Sequence, residues 1–209
     1  LNYTDDELNS YETIWDGEVT KTTKADHQRV VTALKNISEG NDLETYMDID
    51  NLLRYMAVHV FSVNEDSLSG MMAHNYYLYE SGGQLNLIPW DYNLAFGGFQ
   101  GSDAESSVND PIDDVLSDRP MQAWMFSSEE YTALYHEYYE EFLQSADIDG
   151  LIDEAYSLIA PYVEKDPTKF CTAEEFETGV QTLKTYCALR SESIQGQLVG
   201  TIASTSAAQ

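Results

Sequence analysis

The feature that most constrains this chain is a change of period that occurs once. From Met72 to Glu80 (MAHNYYLYE) the sequence is aromatic-rich, Ser81-Gly82-Gly83 supplies a turn, and Leu85 to Trp90 (LNLIPW) alternates apolar and polar residues. That pattern predicts a β-hairpin, with Pro89, which has no N–H to donate, marking the end of its second strand. A lone hairpin cannot hold itself together in water, so it must lie on helices. Helices are what the remaining periodicity provides. Val30, Leu34 and Ile37 stripe a helix from about Lys24 to Ser38, closed by Gly40. Ile49, Leu52, Leu53, Met56, Ala57 and Val60 stripe a largely buried one from about Asp50 to Val63.

Three more helices are expected downstream. A capping box at Ser127-Ser128-Glu129-Glu130 precedes Tyr131, Leu134, Tyr135, Tyr138 and Phe142 at helical spacing. Leu151 to Tyr162 repeats the pattern up to Pro161, and a second box at Thr172-Ala173-Glu174-Glu175 opens a long helix that Gly196 is expected to end. Residues 92–120, interrupted by Gly97-Gly98, Gly101, Pro111 and Pro120, read as a long irregular loop. The fold class is therefore α+β, predominantly α-helical, with one β-hairpin. It forms a single domain over 1–198, followed by a disordered tail over 199–209.

Charge excludes several functions. Ten Lys and Arg against 37 Asp and Glu give a formal net charge of −27. That excludes a generic nucleic-acid binder, which needs a basic footprint, and disfavours anionic lipid. No apolar run approaches the roughly 20 residues of a membrane helix, so no membrane insertion is expected. Disorder is excluded too, because 43% of residues are apolar and 12% aromatic. His27, His59, His74 and His136 are too scattered for a zinc site. The acidic stretches 110–118 and 147–153 lack an EF-hand loop's glycine and closing glutamate, leaving only loose calcium binding open. Gly97-Gly98-x-x-Gly101 opens no helix and reads as loop rather than dinucleotide fingerprint. Two cysteines make no disulfide framework. On one straight helix Cys171 and Cys187 would stand about 24 Å apart, against the roughly 7 Å limit for a bridge. The chain opens on Leu1 with no signal-peptide pattern and is expected to be an excised or processed piece.

Chemistry concentrates in residues 59–97. A buried helix ends in a polar turn carrying Asn64, Asp66 and Ser67; the hairpin is entered through His74-Asn75 and left through Trp90-Asp91-Tyr92-Asn93. A hairpin brings its open ends together, so Asn75 and Asp91 should lie near each other, with the Asp66 turn feeding the same end. Two carboxylates and an amide converging on a rigid edge make the oxygen-rich site that Mg²⁺ or Mn²⁺ prefers. Each residue alone has an ordinary structural role: a cap, a satisfied loop backbone, a surface ion pair.

The segments Asn64-x-Asp66-Ser67, HNYYLY over 74–79 and PWDYNLAFG over 89–97 closely resemble the CotH family, the spore-coat-protein-H-like atypical protein kinases. Asp50-Asn51-x-x-Arg54-Tyr55-x-Ala57-Val58-His59 and the helical remainder to about Leu198 are similar as well. The resemblance implies an atypical kinase-like C-terminal (large) lobe and transfer of the ATP γ-phosphoryl group to Ser or Thr of a protein substrate, with Mg or Mn. It further implies a bacterial protein acting outside the cytoplasm, secreted or in the spore coat. Carried over by motif, Asp66 takes the catalytic-loop role and Asp91 the metal role. Asn75 is inferred as second metal ligand, nine residues after Asp66 rather than the five of the ordinary kinase loop. No H-R-D or D-F-G is present, and neither Lys21 nor Lys24 is assigned as the phosphate-pairing lysine. Without a small lobe, this piece is expected to fold but not to phosphorylate. The alternative is a non-catalytic surface or coat-assembly module that binds protein partners.

Overall fold

The computed structural model describes residues 1–98, 107–114, 119, 123 and 125–206. Helices dominate. A short turn α1 (Glu12–Trp15) leads to α2 (Lys24–Glu39), α3 (Leu43–Tyr46) and α4 (Ile49–Phe61). The strands β1 (Tyr76–Ser81) and β2 (Gln84–Pro89) follow, then α5 (Glu129–Ser145), α6 (Ile148–Lys165) and α7 (Ala173–Leu198). The class is the expected one: predominantly helical, with one antiparallel hairpin.

The hairpin pairs Tyr76 with Pro89 through Ser81 with Gln84. Gly82 and Gly83 turn it with φ of +65° and +94°, the paired left-handed conformation that matches strand twist and that glycine adopts freely. The first strand starts at Tyr76, four residues later than the aromatic pattern suggested. Met72 to Asn75 belong instead to the preceding turn, where Met72 N–H bonds to the Glu65 carbonyl and Ala73 and Asn75 are left-handed.

One core joins the hairpin to the helices. Leu85 and Leu87 on the inner face of β2 pack with Val31, Leu34 and Ile37 of α2, Leu52, Leu53 and Met56 of α4, and Tyr135 and Tyr139 of α5. Asn51 clamps strand to helix, its side chain accepting from Leu87 N–H at 2.7 Å and donating to the Leu87 carbonyl at 3.1 Å. Arg190 of α7 is fully buried. Its guanidinium donates to the carbonyls of Val60 and Phe61 at the end of α4 and to those of Val108 and Asp110. It thereby satisfies the Phe61 carbonyl, which the buried helix end leaves without a partner, and adds a second donor to that of Val60, which also accepts from Val63 N–H.

Three helix boundaries differ from the sequence reading. The N-cap of α5 is Ser128, so the third helical residue is Tyr131, and only the serine half of the expected box forms. The helix α6 runs through Pro161 to Lys165. Pro161 is on the exposed side, where the Ser157 carbonyl that loses its partner can meet water. Gly196 lies inside α7, which continues to Leu198. Gly200, with φ of +75°, closes it: Thr201 N–H bonds to the Gly196 carbonyl and Gly200 N–H to that of Gln197. A methyl group on Gly196 would meet the Ile202 side chain at 2.7 Å, so this glycine serves a close approach rather than a stop. Of the segment expected to fray, residues 199–206 are described. There Ser204 accepts from Asp113 N–H at 2.9 Å and Ser206 N–H donates to the Asp114 carboxylate. The loop expected over 92–120 falls partly outside the described residues, as does Gly101. Cys171 and Cys187 are both free thiols, as their separation required.

Replacing Arg190 strands buried carbonyls of two segments at once. Arg190→Ala should lower the unfolding free energy by about 3 kcal/mol or more in urea titrations. Arg190→Lys should recover only part of it, because an ammonium cannot span four carbonyls.

Candidate functional site

The C-terminal turn of α4 carries two loops. The first is the Asp66 turn. Asn64 N–H bonds to the His59 carbonyl at 3.0 Å, the Asn64 side-chain oxygen accepts from Asp66 N–H at 3.2 Å, and Ser67 N–H returns to the Asn64 carbonyl. Gly70 then folds back on Glu65 so closely that a Cβ would sit 2.1 Å from the Glu65 carbonyl oxygen. Only glycine fits there. Buried Arg119 fastens the far side, donating to the carbonyls of Leu68, Gly70 and Met71. Tyr55 adds its hydroxyl to Leu68 N–H. The second loop leaves the hairpin through Asp91 and returns to α4, where Phe96 N–H bonds to the Ser62 carbonyl at 2.6 Å.

The open end of the hairpin is where the backbone is most strained. Of six non-glycine residues with positive φ among the described residues, five flank it: Val63, Ala73, Asn75, Asp91 and Phe96. Each such conformation costs about 1–2 kcal/mol. Val63, β-branched and least suited to it, is wedged against Val108 and Tyr186.

Asp66 and Asn75 are joined directly. The Asn75 amide donates to the Asp66 carboxylate at 2.7 Å, and the Asp66 side chain is only 14% exposed. His74 Nδ1 stands 3.8 Å from its other oxygen. With its nitrogen committed to Asp66, Asn75 keeps its amide oxygen as a free acceptor. Asp91 begins two residues beyond Pro89, the partner of Tyr76, and so leaves from the same end. Its carboxylate is exposed and accepts from Asn93 N–H at 3.4 Å; no hydrogen bond joins it to Asp66 or Asn75. Among the described residues no three His, Cys, Asp or Glu side chains cluster as a metal cage. The Asp91 carboxylate and the Asn75 amide oxygen are each oxygen donors of the kind a hard divalent cation takes. Asn64 adds a donor, for its buried Nδ2 has no hydrogen-bond partner. An N–H group can serve a phosphate oxygen or a water, never a cation.

Several residues here carried little or no sequence signal. Arg119 falls in the loop, where no periodicity marks it. Arg190 could have been noticed as a lone charge on the apolar face formed by Cys187 and Ile194. His59 is buried at 1% exposure, with its ring stacked on Tyr55 at 3.8 Å. Its Nδ1 lies 2.8 Å from the Tyr55 carbonyl and its Nε2 3.2 Å from the Tyr92 hydroxyl. Beside the second loop, a cavity of about 670 Å³ opens between Tyr92, Ala95 and Phe96 and the α7 residues Thr178, Leu183 and Tyr186.

With this geometry in view, the comparison with protein families is direct. The CotH kinase protein family matches residues 1–194, nearly the whole chain. The chain belongs to the CotH kinase family, a family of atypical kinase-like proteins. No curated protein matches it. Among the described residues no helix is long and apolar enough to cross a membrane.

Burial makes His59 a stability titrant. Loss of solvation pulls its pKa down from 6.5 to about 4. Above pH 6.5 the imidazole is neutral folded or unfolded. Between 6.5 and 4 only the unfolded chain takes up the proton, so folding stability falls as pH falls through that window. The shift corresponds to about 3 kcal/mol. Urea titrations at stepped pH should show this loss for the native protein, and a shallower acid slope for His59→Gln.

Proposed function

We propose that the chain is the catalytic lobe of an atypical protein kinase that transfers the ATP γ-phosphoryl group to Ser or Thr of a protein substrate. The observation that carries the proposal is the Asn75–Asp66 hydrogen bond at the mouth of the hairpin from which Asp91 also departs. In this reading Asp66 faces the acceptor hydroxyl. Held by Asn75, its carboxylate orients the hydroxyl and takes its proton as the oxygen bonds to the γ-phosphorus and the β–γ bridging bond breaks, releasing ADP. Asp91 and the Asn75 amide oxygen hold Mg²⁺ or Mn²⁺, which when bound neutralises charge on the nucleotide phosphates. Preorganisation is what this chain supplies, since both loops are hydrogen-bonded into α4. Family membership supports the kinase reading and, with it, a place outside the cytoplasm, secreted or in the spore coat.

Assay of the full-length protein with ATP and Mg²⁺ or Mn²⁺ tests the assignment. Asp91→Ala should abolish phosphoryl transfer and weaken metal–nucleotide binding, with only a small loss in the thermal melt because the carboxylate is exposed and bonded only within its own loop. Asp66→Ala should be equally inactive yet bind metal–nucleotide better than the Asp91 variant. Transfer retained in Asp91→Ala overturns the site. A native protein that binds no metal–nucleotide favours the non-catalytic, partner-binding reading.

A further inference from the structure

We propose that His59 is a positioning residue for Asp91, acting through the hydroxyl of Tyr92; this rests on the metal role assigned to Asp91 above. The problem the fold must solve is at Asp91 itself. Its φ of +50° is one an L-residue adopts at a cost, smaller for Asp than for most because its side chain can hydrogen-bond locally. Its carboxylate is exposed, and the one bond it accepts, from Asn93 N–H, comes from two residues along its own loop. What fixes its backbone is therefore the anchoring of its neighbours. On one side Trp90 leans edge-on against Tyr77 at 5.2 Å, on the exposed face of the hairpin. On the other side Tyr92 turns inward.

The inward anchor has a defined hydrogen-bond polarity. A backbone carbonyl can only accept, so the 2.8 Å contact with Tyr55 O places a proton on His59 Nδ1. In the neutral ring Nε2 is then a bare acceptor, and the Tyr92 hydroxyl donates to it at 3.2 Å. The two rings also touch, with centroids 5.2 Å apart. Stacking on Tyr55 prevents the imidazole from swinging away. The position of the residue after Asp91 is thus set by a ring held on α4 by a hydrogen bond to the Tyr55 carbonyl and by stacking on the Tyr55 ring.

The same residue supports the other half of the site. The His59 carbonyl accepts from Asn64 N–H at 3.0 Å and from the Ser62 hydroxyl at 3.2 Å. Its backbone therefore anchors the Asp66 turn while its side chain anchors the Asp91 turn. One helical residue fixes the spacing between the two proposed catalytic and metal carboxylates. Loss of the Tyr92 hydroxyl should let Asp91 relax toward ordinary φ and scatter its carboxylate, with the fold intact.

Mg·ATP binding and steady-state transfer by the full-length protein test this. Tyr92→Phe, which keeps the ring and removes only the hydroxyl, should raise the Kd for Mg·ATP roughly 5- to 10-fold, the size of one lost hydrogen bond. KM should rise with it and kcat fall less. His59→Leu should do the same, and adding it to Tyr92→Phe should cost little more, because both delete one contact. Tyr186→Phe, which deletes a hydroxyl bonded to Ser107 at 3.1 Å, is the control: a small stability loss with native Mg·ATP affinity. Native affinity in Tyr92→Phe beside a loss in Asp91→Ala would overturn the positioning role alone. No Mg·ATP binding by the native protein would overturn the metal assignment and this proposal together.

Discussion

A single guanidinium determines how far α4 can be buried. Helix C-termini end in carbonyls without partners, and water ordinarily takes them. The end of α4 is inside the protein, with Phe61, Ser62, Val63 and Asn64 all buried, so water is not available there. Arg190 reaches across from α7 and supplies the missing donors, while a second pair of its N–H groups gathers Val108 and Asp110. A buried charge is costly unless each of its protons is used, and here the carbonyl dipoles of two segments use four of them. Everything at the proposed site hangs from that helix end. The Asp66 turn starts on the His59 carbonyl, and the Asp91 loop returns to the Ser62 carbonyl.

Hydrophobic period carried most of the architecture. Stripes such as Val30, Leu34 and Ile37 could face nothing but a core, and Gly82-Gly83 between alternating runs could make nothing but a hairpin. Family-specific strings around Asp66, Asn75 and Asp91 pointed to the region where strained backbone and buried polar groups collect. Asp66 and Asn75 are joined by a hydrogen bond, while Asp91, which hairpin topology was expected to bring near Asn75, leaves from the same end of the hairpin without a bond to either.

What was illegible has a common cause: it depends on partners far away in sequence. Nothing local says that Met72 to Asn75 will be drawn into a turn closed by Gly70 against Glu65, rather than extend the strand. Pro161 and Gly196 look like helix breakers until Pro161 proves to face solvent and Gly196 proves to make room for Ile202. His59 reads as one polar position in an apolar helix. Its role becomes visible only when Tyr92, thirty-three residues on, meets its Nε2.

Sequence distance also orders events in time. The carbonyl of Phe61 waits for a donor 129 residues downstream, and Asp114 for one 92 residues downstream. On a ribosome adding about 5–20 residues per second, the end of α4 is made on the order of ten seconds before Arg190 exists to cover it. During that interval the helix and hairpin can form from local contacts, but the platform beneath the two loops stays open to water. The part of the molecule most burdened with strained backbone is therefore the last to be locked, and a chain cut short before α7 would keep its hairpin while leaving that platform unfinished.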